Sequence, residues 1–170
     1  YAVTGTQSNG QPTDDFYEYD PVANTWTTLT NFPGAKRSFS IGTVVNGIAY
    51  MGFGQRNGQY LNDLWSYDAQ VDLWTPLSDC GCTGRRHPSF IGIGNKIYMG
   101  LGNDGTGDLK TWWMYNIDTD TWSQIADLPG PARHHPFHFN AGGEVFAGLG
   151  HSGNSIYKDW YKLDTANNSW

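Results

Sequence analysis

Residues 38–77 set the pattern of the chain. Ser38–Val45 is a short, partly apolar run that stops at Asn46-Gly47, a dipeptide suited to the positive φ values of a two-residue hairpin turn. Ile48–Phe53 follows as a continuous apolar stretch, the form of a strand covered on both faces. It ends on Gly52 and Gly54, where a second backbone can come close. After a polar loop, Gln55–Asn62, the segment Asp63–Asp68 alternates, with Trp65 and Tyr67 on one face and Ser66 on the other. Asp68 opens a turn, and Leu73–Leu77 makes a last short strand containing Trp74. The pattern predicts four antiparallel strands joined by tight turns.

The same unit recurs along the whole chain. Trp26, Trp74, Trp122 and Trp170 are spaced by 48 residues (74−26, 122−74, 170−122). Arg37, Arg85 and Arg133 keep the step, as do Gly52, Gly100 and Gly148. Gly94-Asn95 and Gly142-Gly143 replace Asn46-Gly47 at the hairpin turn. Tyr17/Tyr19, Trp113/Tyr115 and Tyr161/Leu163 replace Trp65/Tyr67, and this aromatic column is expected to pack between neighbouring sheets. A small sheet cannot bury such faces alone, so units must stack. Helical periodicity is absent, which excludes a helical solenoid. Radial stacking of four-stranded antiparallel sheets at this period predicts an all-β fold, a β-propeller.

The 170 residues hold about 3.5 such units, fewer than the roughly four to eight that close a ring. The expected division is an incomplete blade at 1–37, whole blades at 38–85 and 86–133, and an incomplete blade at 134–170. The chain is expected to form part of a six- or seven-bladed propeller, completed by further polypeptide or by a second copy. Left alone, its open sheet edges would favour association.

The motifs resemble the kelch repeat. Tyr19/Trp26, Tyr67/Trp74 and Tyr115/Trp122 keep that family's seven-residue interval, and Leu163/Trp170 keeps it with leucine in place of tyrosine. The family's adjacent glycine pair is here split by one residue, as in Gly52-Phe53-Gly54, and has decayed to Thr4-Gly5-Thr6 in the first unit. Asn62–Asp68 and Leu128–Arg133 look like a bacterial variety of kelch protein. That resemblance implies a secreted or cell-surface setting, with the periplasm as another possibility. It implies no single activity, because propellers carry many unrelated ones.

Composition narrows the functional classes. Ten basic residues against sixteen acidic ones give a net charge of −6, which argues against nucleic-acid binding. No apolar run is long enough to span a bilayer as a helix. Cys80 and Cys82 are read as inert thiols rather than a functional pair, since a bridge would close a very tight loop.

Candidate chemistry gathers where each first strand is entered. Lys36-Arg37-Ser38-Phe39, Gly84-Arg85-Arg86-His87 and Ala132-Arg133-His134-His135 occupy equivalent positions. Rotation between units would set them in an arc suited to a carboxylate, a sulfate or an acidic peptide. The candidate ligand-binding residues are therefore Arg86, His87, His134, His135, Arg37, Arg85 and Arg133. The repeating arginines have a structural reading as well, a bridge to the repeating acids Asp15, Asp63 and Asp159. A metal reading of His134, His135 and His138 is set aside, because in a regular strand adjacent side chains diverge and residues three apart face opposite ways. The Asn103–Asp108 stretch reads as a turn rather than a calcium loop. Asp118 and Asp120 read as solvated surface acids. No catalytic residue, metal or cofactor is assigned.

The expectation is a non-catalytic scaffolding module that binds a protein or a glycan, with Tyr60, Trp112 and Tyr157 as candidate aromatic platforms for sugars and packing between sheets as an equal reading of Trp112. The alternative is a sugar-acting enzyme, since oxidases and sialic-acid mutarotases use kelch-type propellers.

Overall fold

The computed structural model describes all 170 residues, Tyr1–Trp170. It contains strands, turns and loops and no helix. Two complete four-stranded antiparallel sheets occupy the middle: Ile41–Val45, Ile48–Gly52, Leu64–Asp68 and Leu73–Leu77, then Ser89–Ile93, Lys96–Gly100, Trp112–Asn116 and Thr121–Ile125. Three-stranded sheets flank them, Ala2–Thr6 with Pro12–Asp20 and Thr25–Thr28 on one side, and Phe137–Ala141 with Glu144–Gly148 and Trp160–Leu163 on the other. Strand order follows chain order in all four. The first strands of the last three sheets lie side by side and are tied laterally. Gly92 N donates to Thr43 Oγ1 at 3.2 Å, and Asn140 Nδ2 donates to Gly92 O at 3.2 Å.

Both faces of each middle sheet are covered, and three apolar clusters fill the gaps between sheets. Phe16, Phe32, Met51, Tyr67 and Trp74 lie between the first and second. Leu64, Cys80, Phe90, Ile97, Met99 and Tyr115 belong to the cluster between the second and third. Tyr98, Trp112, Leu128, Val145 and Leu163 belong to the one between the third and fourth. The aromatic column packs as expected at Tyr67 and Tyr115, which are buried, whereas Tyr17 and Tyr19 stay exposed.

The most buried positions of the third strands were missed. Phe16, Leu64 and Trp112, one 48-residue step apart, face the opposite side of the sheet from Tyr67 and are almost wholly buried. Trp112 is 0 % exposed, so it is no platform for a sugar. Two short hairpins, Gln55–Arg56 with Gln59–Tyr60 and His151–Ser152 with Ser155–Ile156, lie in segments expected to be plain loop. Cys80 and Cys82 are both buried and joined by a disulfide, so they are not the free thiols expected.

A second repeated device ties each sheet to the one before it. Tyr67 OH donates to Asp72 Oδ1 at 2.9 Å, and Asp72 Oδ2 accepts from Thr30 Oγ1 at 2.7 Å. One unit on, Tyr115 OH donates to Asp120 Oδ1 at 2.6 Å, while Ser78 N and Oγ donate to the same carboxylate. Asp120 is thus an exposed surface acid, as expected, that also acts as a structural staple. Burial and the neighbouring carboxylate push both phenols well above the ordinary tyrosine range. Both carboxyls are held below their ordinary value, against the opposing cost of burial, by the donors they accept from.

Candidate functional site at the axial mouth

The segments entering the first strands are held by the repeating arginines. Arg37 Nη1 and Nη2 donate to the Asp63 carboxylate at 2.5 Å each, Nη1 to Phe53 O at 3.1 Å, and Nε to Ala35 O at 3.0 Å. Arg133 repeats this with Asp159, Leu149 O and Pro131 O. Arg85 keeps both carbonyl contacts, to Leu101 O and Thr83 O, but meets Thr111 Oγ1 in place of a carboxylate. All three guanidinium side chains are at most 1 % exposed. The structure places Arg37, Arg85 and Arg133 inside the fold as clamps, where burial and inward hydrogen bonding keep them from an external ligand.

Each clamp sets the course of the two residues after it. Ser38, Arg86 and His134 form single antiparallel bridges with Gln55, Asn103 and His151. They cross directly over a glycine: a Cβ on Gly102 would lie 2.8 Å from Arg86 O, and one on Gly150 2.7 Å from His134 O. Both glycines also have positive φ, at 94° and 80°, so side chains are excluded twice over. The next residue in each unit, Phe39, His87 or His135, is left-handed, with φ of 61°, 53° and 52°. Each such residue costs on the order of 1–3 kcal/mol and persists only where its surroundings fix it. Here the clamp and the bridge fix it, and the turn brings successive side chains to a common mouth.

Four imidazoles meet there. The rings of His87 and His135 stack with centroids 3.8 Å apart, and Phe39 meets His87 edge-on at 4.6 Å. His134 lies 4.7 Å from His135 and 4.2 Å from His151, centroid to centroid. His135 Nδ1 and His151 Nε2 are 3.1 Å apart. His134 Nδ1 lies 2.8 Å from Asp108 Oδ1, out of line for a good hydrogen bond, and Asn103 Nδ2 donates to the same oxygen at 2.8 Å. His134 and His135 therefore do not diverge as expected. They precede the strand, which starts at Phe137, and the left-handed turn at His135 folds them together. For the same reason His135 and His138 line one cavity rather than opposite faces.

Burial, with the neighbouring imidazoles and Arg86, pushes His87 down to about 4, and the same causes lower His135. His87 is therefore neutral at neutral pH, and the neutral form of His135 is favoured by the same causes. Arg86 gives the mouth a permanent positive charge; its Nη1 donates to Gln55 Oε1 at 3.1 Å, and its guanidinium sits 5.7 Å from the Tyr60 ring and 5.9 Å from Phe39. Its Nε is buried without a partner. A cavity of about 200 Å³ opens beside these groups, lined by Phe39, His87, Pro88, His135, Pro136 and His138 among others. A larger cleft of about 420 Å³ between the first two sheets is apolar, lined by Val3, Phe16, Ile41, Met51 and Trp74 among others. It brings together no acid, imidazole or arginine, so the chemistry lies at the mouth.

Sequence reasoning missed Asp108 and His151. Both lie in loops that vary between units, yet Gln55, Asn103 and His151 keep the 48-residue step, so their pairing with Ser38, Arg86 and His134 was available as a signal. Tyr157 is committed to the clamp, its ring 4.4 Å from the Arg133 guanidinium. The Asn103–Asp108 stretch is a turn, as expected, closed by Thr106 N and Gly107 N donating to Asp104 Oδ1.

The comparisons agree with this architecture. The Kelch motif family matches residues 1–33, the unit in which the glycine pair has decayed. The fold is that of a partial β-propeller of kelch type, with a kelch motif in its first unit. The structure of YjhT superposes on it with a TM-score of 0.75 at 17 % identity, covering 86 % of this chain and 54 % of that one. The kelch chain thus spans about half the length of that relative, and the likeness is one of fold. No curated protein matches the sequence.

Proposed function

We propose that the kelch chain is a non-catalytic binding module, part of a secreted or cell-surface protein, that takes an acidic glycan at its axial mouth. The observation that carries this reading is the composition of the mouth: one fixed guanidinium, Arg86, beside imidazoles whose neutral form is favoured and the rings of Phe39 and Tyr60. A single carboxylate matches the arginine fork. Neutral imidazoles donate to and accept from sugar hydroxyls, and the apolar face of a sugar ring suits an aromatic wall. An acidic peptide would favour several cations rather than one.

A sugar-acting enzyme is the second reading, favoured by one observation. Asp108 stands behind His134 at 2.8 Å, an arrangement able to orient a general base.

An oligosaccharide array separates these readings. Uronate- and sialate-bearing glycans should be retained and recovered unchanged, and neutral ones should not. Turnover of a retained sugar would favour the enzyme. Equal retention of neutral and acidic glycans would reject the acidic-glycan reading.

A further inference from the structure

We propose that His87, His134 and His135 form a site for a divalent transition-metal ion, with His151 placed to supply a fourth nitrogen. The ligand atoms of the first three all lie within 4.8 Å of one another. Two imidazole nitrogens on a tetrahedral ion, each at ~2.0–2.1 Å, stand about 3.3 Å apart. His135 Nδ1 and His151 Nε2 are already at 3.1 Å, and the His87 and His134 rings would turn to complete the shell. His87 Nδ1 is buried with no hydrogen-bond partner, a cost of about 1–3 kcal/mol that a bound ion would remove. Asp108 stands behind His134 and is itself held by Asn103. With the His134 ring turned into line, a carboxylate in that place would accept from Nδ1 and direct Nε2 toward the metal.

Ligand chemistry sets the class of ion. Imidazole suits Zn²⁺, Cu²⁺ and Ni²⁺, whereas Ca²⁺ and Mg²⁺ require oxygen. Arg86 is compatible with a cation nearby because its Nη1 is turned to Gln55 and its guanidinium to Tyr60. The metal site shares its mouth with the proposed glycan site but does not depend on it, and it is tested with the metal alone.

The experiment is titration of the EDTA-dialysed chain with ZnCl₂ by calorimetry, repeated with CoCl₂ to read visible absorption. One equivalent of Zn²⁺ should bind, Co²⁺ should give the intense bands of a low-coordinate site, and CaCl₂ should give no heat. His87→Ala and His135→Gln should each weaken Zn²⁺ at least tenfold, with the circular dichroism of the folded chain retained. Lys36→Ala, on the exposed surface, should leave affinity unchanged. Stoichiometric Zn²⁺ binding that survives the paired His87→Ala and His135→Gln substitutions, or no Zn²⁺ binding by the folded chain, would overturn the proposal. Loss of glycan binding with Zn²⁺ binding intact would count only against the glycan reading.

Discussion

Arg133 grips the Asp159 carboxylate with both terminal nitrogens, at 2.5 and 2.8 Å, from a position that is 0 % exposed. Arg37 does the same with Asp63. Between them Arg85 meets the Thr111 hydroxyl where the others meet a carboxylate, and burial lowers its guanidinium to about 10. A buried charge without its partner destabilises the folded state. Thr111→Asp should therefore restore the missing fork and stabilise the chain by about 1.5–3 kcal/mol, the range for hydrogen bonds to charged groups. Chemical denaturation of the variant checks this, and an unchanged midpoint would show that the third clamp needs no carboxylate.

The same clamp predicts an acid limb. Arg133 holds the Asp159 carboxyl at about 2, below its ordinary 3.8. A folded-state value below the unfolded one adds stability that is complete above about pH 4 and is lost as pH falls from 4 to 2. Asp159→Asn should be less stable at neutral pH and show a shallower loss of stability across that interval. Melting temperature against pH for both proteins reads the difference.

The repeating tryptophans should respond unequally. Trp74 is 8 % exposed and packs on Phe16, Phe32 and Tyr67, whereas Trp26 is 60 % exposed. Trp74→Ala should cost ~3–5 kcal/mol, as large core truncations do. Trp26→Ala should cost under about 1 kcal/mol. Equal losses would mean that the repeat, rather than the contact between sheets, sets their worth.

The staple between sheets predicts a directional effect at Asp120. Asp120→Ala frees Ser78 N and Oγ and the Tyr115 hydroxyl. It should destabilise the chain by about 0.5–1.5 kcal/mol, the net worth of an ordinary hydrogen bond, because of the donors released only Tyr115 belongs to a buried residue. Asp118→Ala, at an exposed neighbouring position joined only to Asn95, should cost less. The ranking can be read from urea midpoints.

The fold was legible because repetition repeats each error as well as each signal. The step between Trp26, Trp74, Trp122 and Trp170 and the Asn46-Gly47 turn fixed the four-stranded sheet without any tertiary knowledge. What failed depended on which face a strand presents. The alternation of Asp63–Asp68 put only Trp65 and Tyr67 on a packing face, so the burial of Leu64 and Trp112 on the other face emerged only when both faces of each sheet proved to be covered. The site was half legible. Arg86, His87, His134 and His135 stood out because they break the repeat. Their convergence did not, because strand periodicity gives the wrong direction for a residue such as His135, with φ of 52°. Asp108 and His151 reach the mouth through bridges spanning loops, which no local pattern encodes.

The central claim is that Arg86 anchors a carboxylate at the axial mouth. Calorimetry with one acidic oligosaccharide and its carboxyl-reduced counterpart tests it directly. Wild-type chain should bind the acidic form at least tenfold more tightly, and Arg86→Ala should erase that preference with the fold intact. Equal affinity for the two sugars in the wild type, or a preference that survives Arg86→Ala, would contradict it.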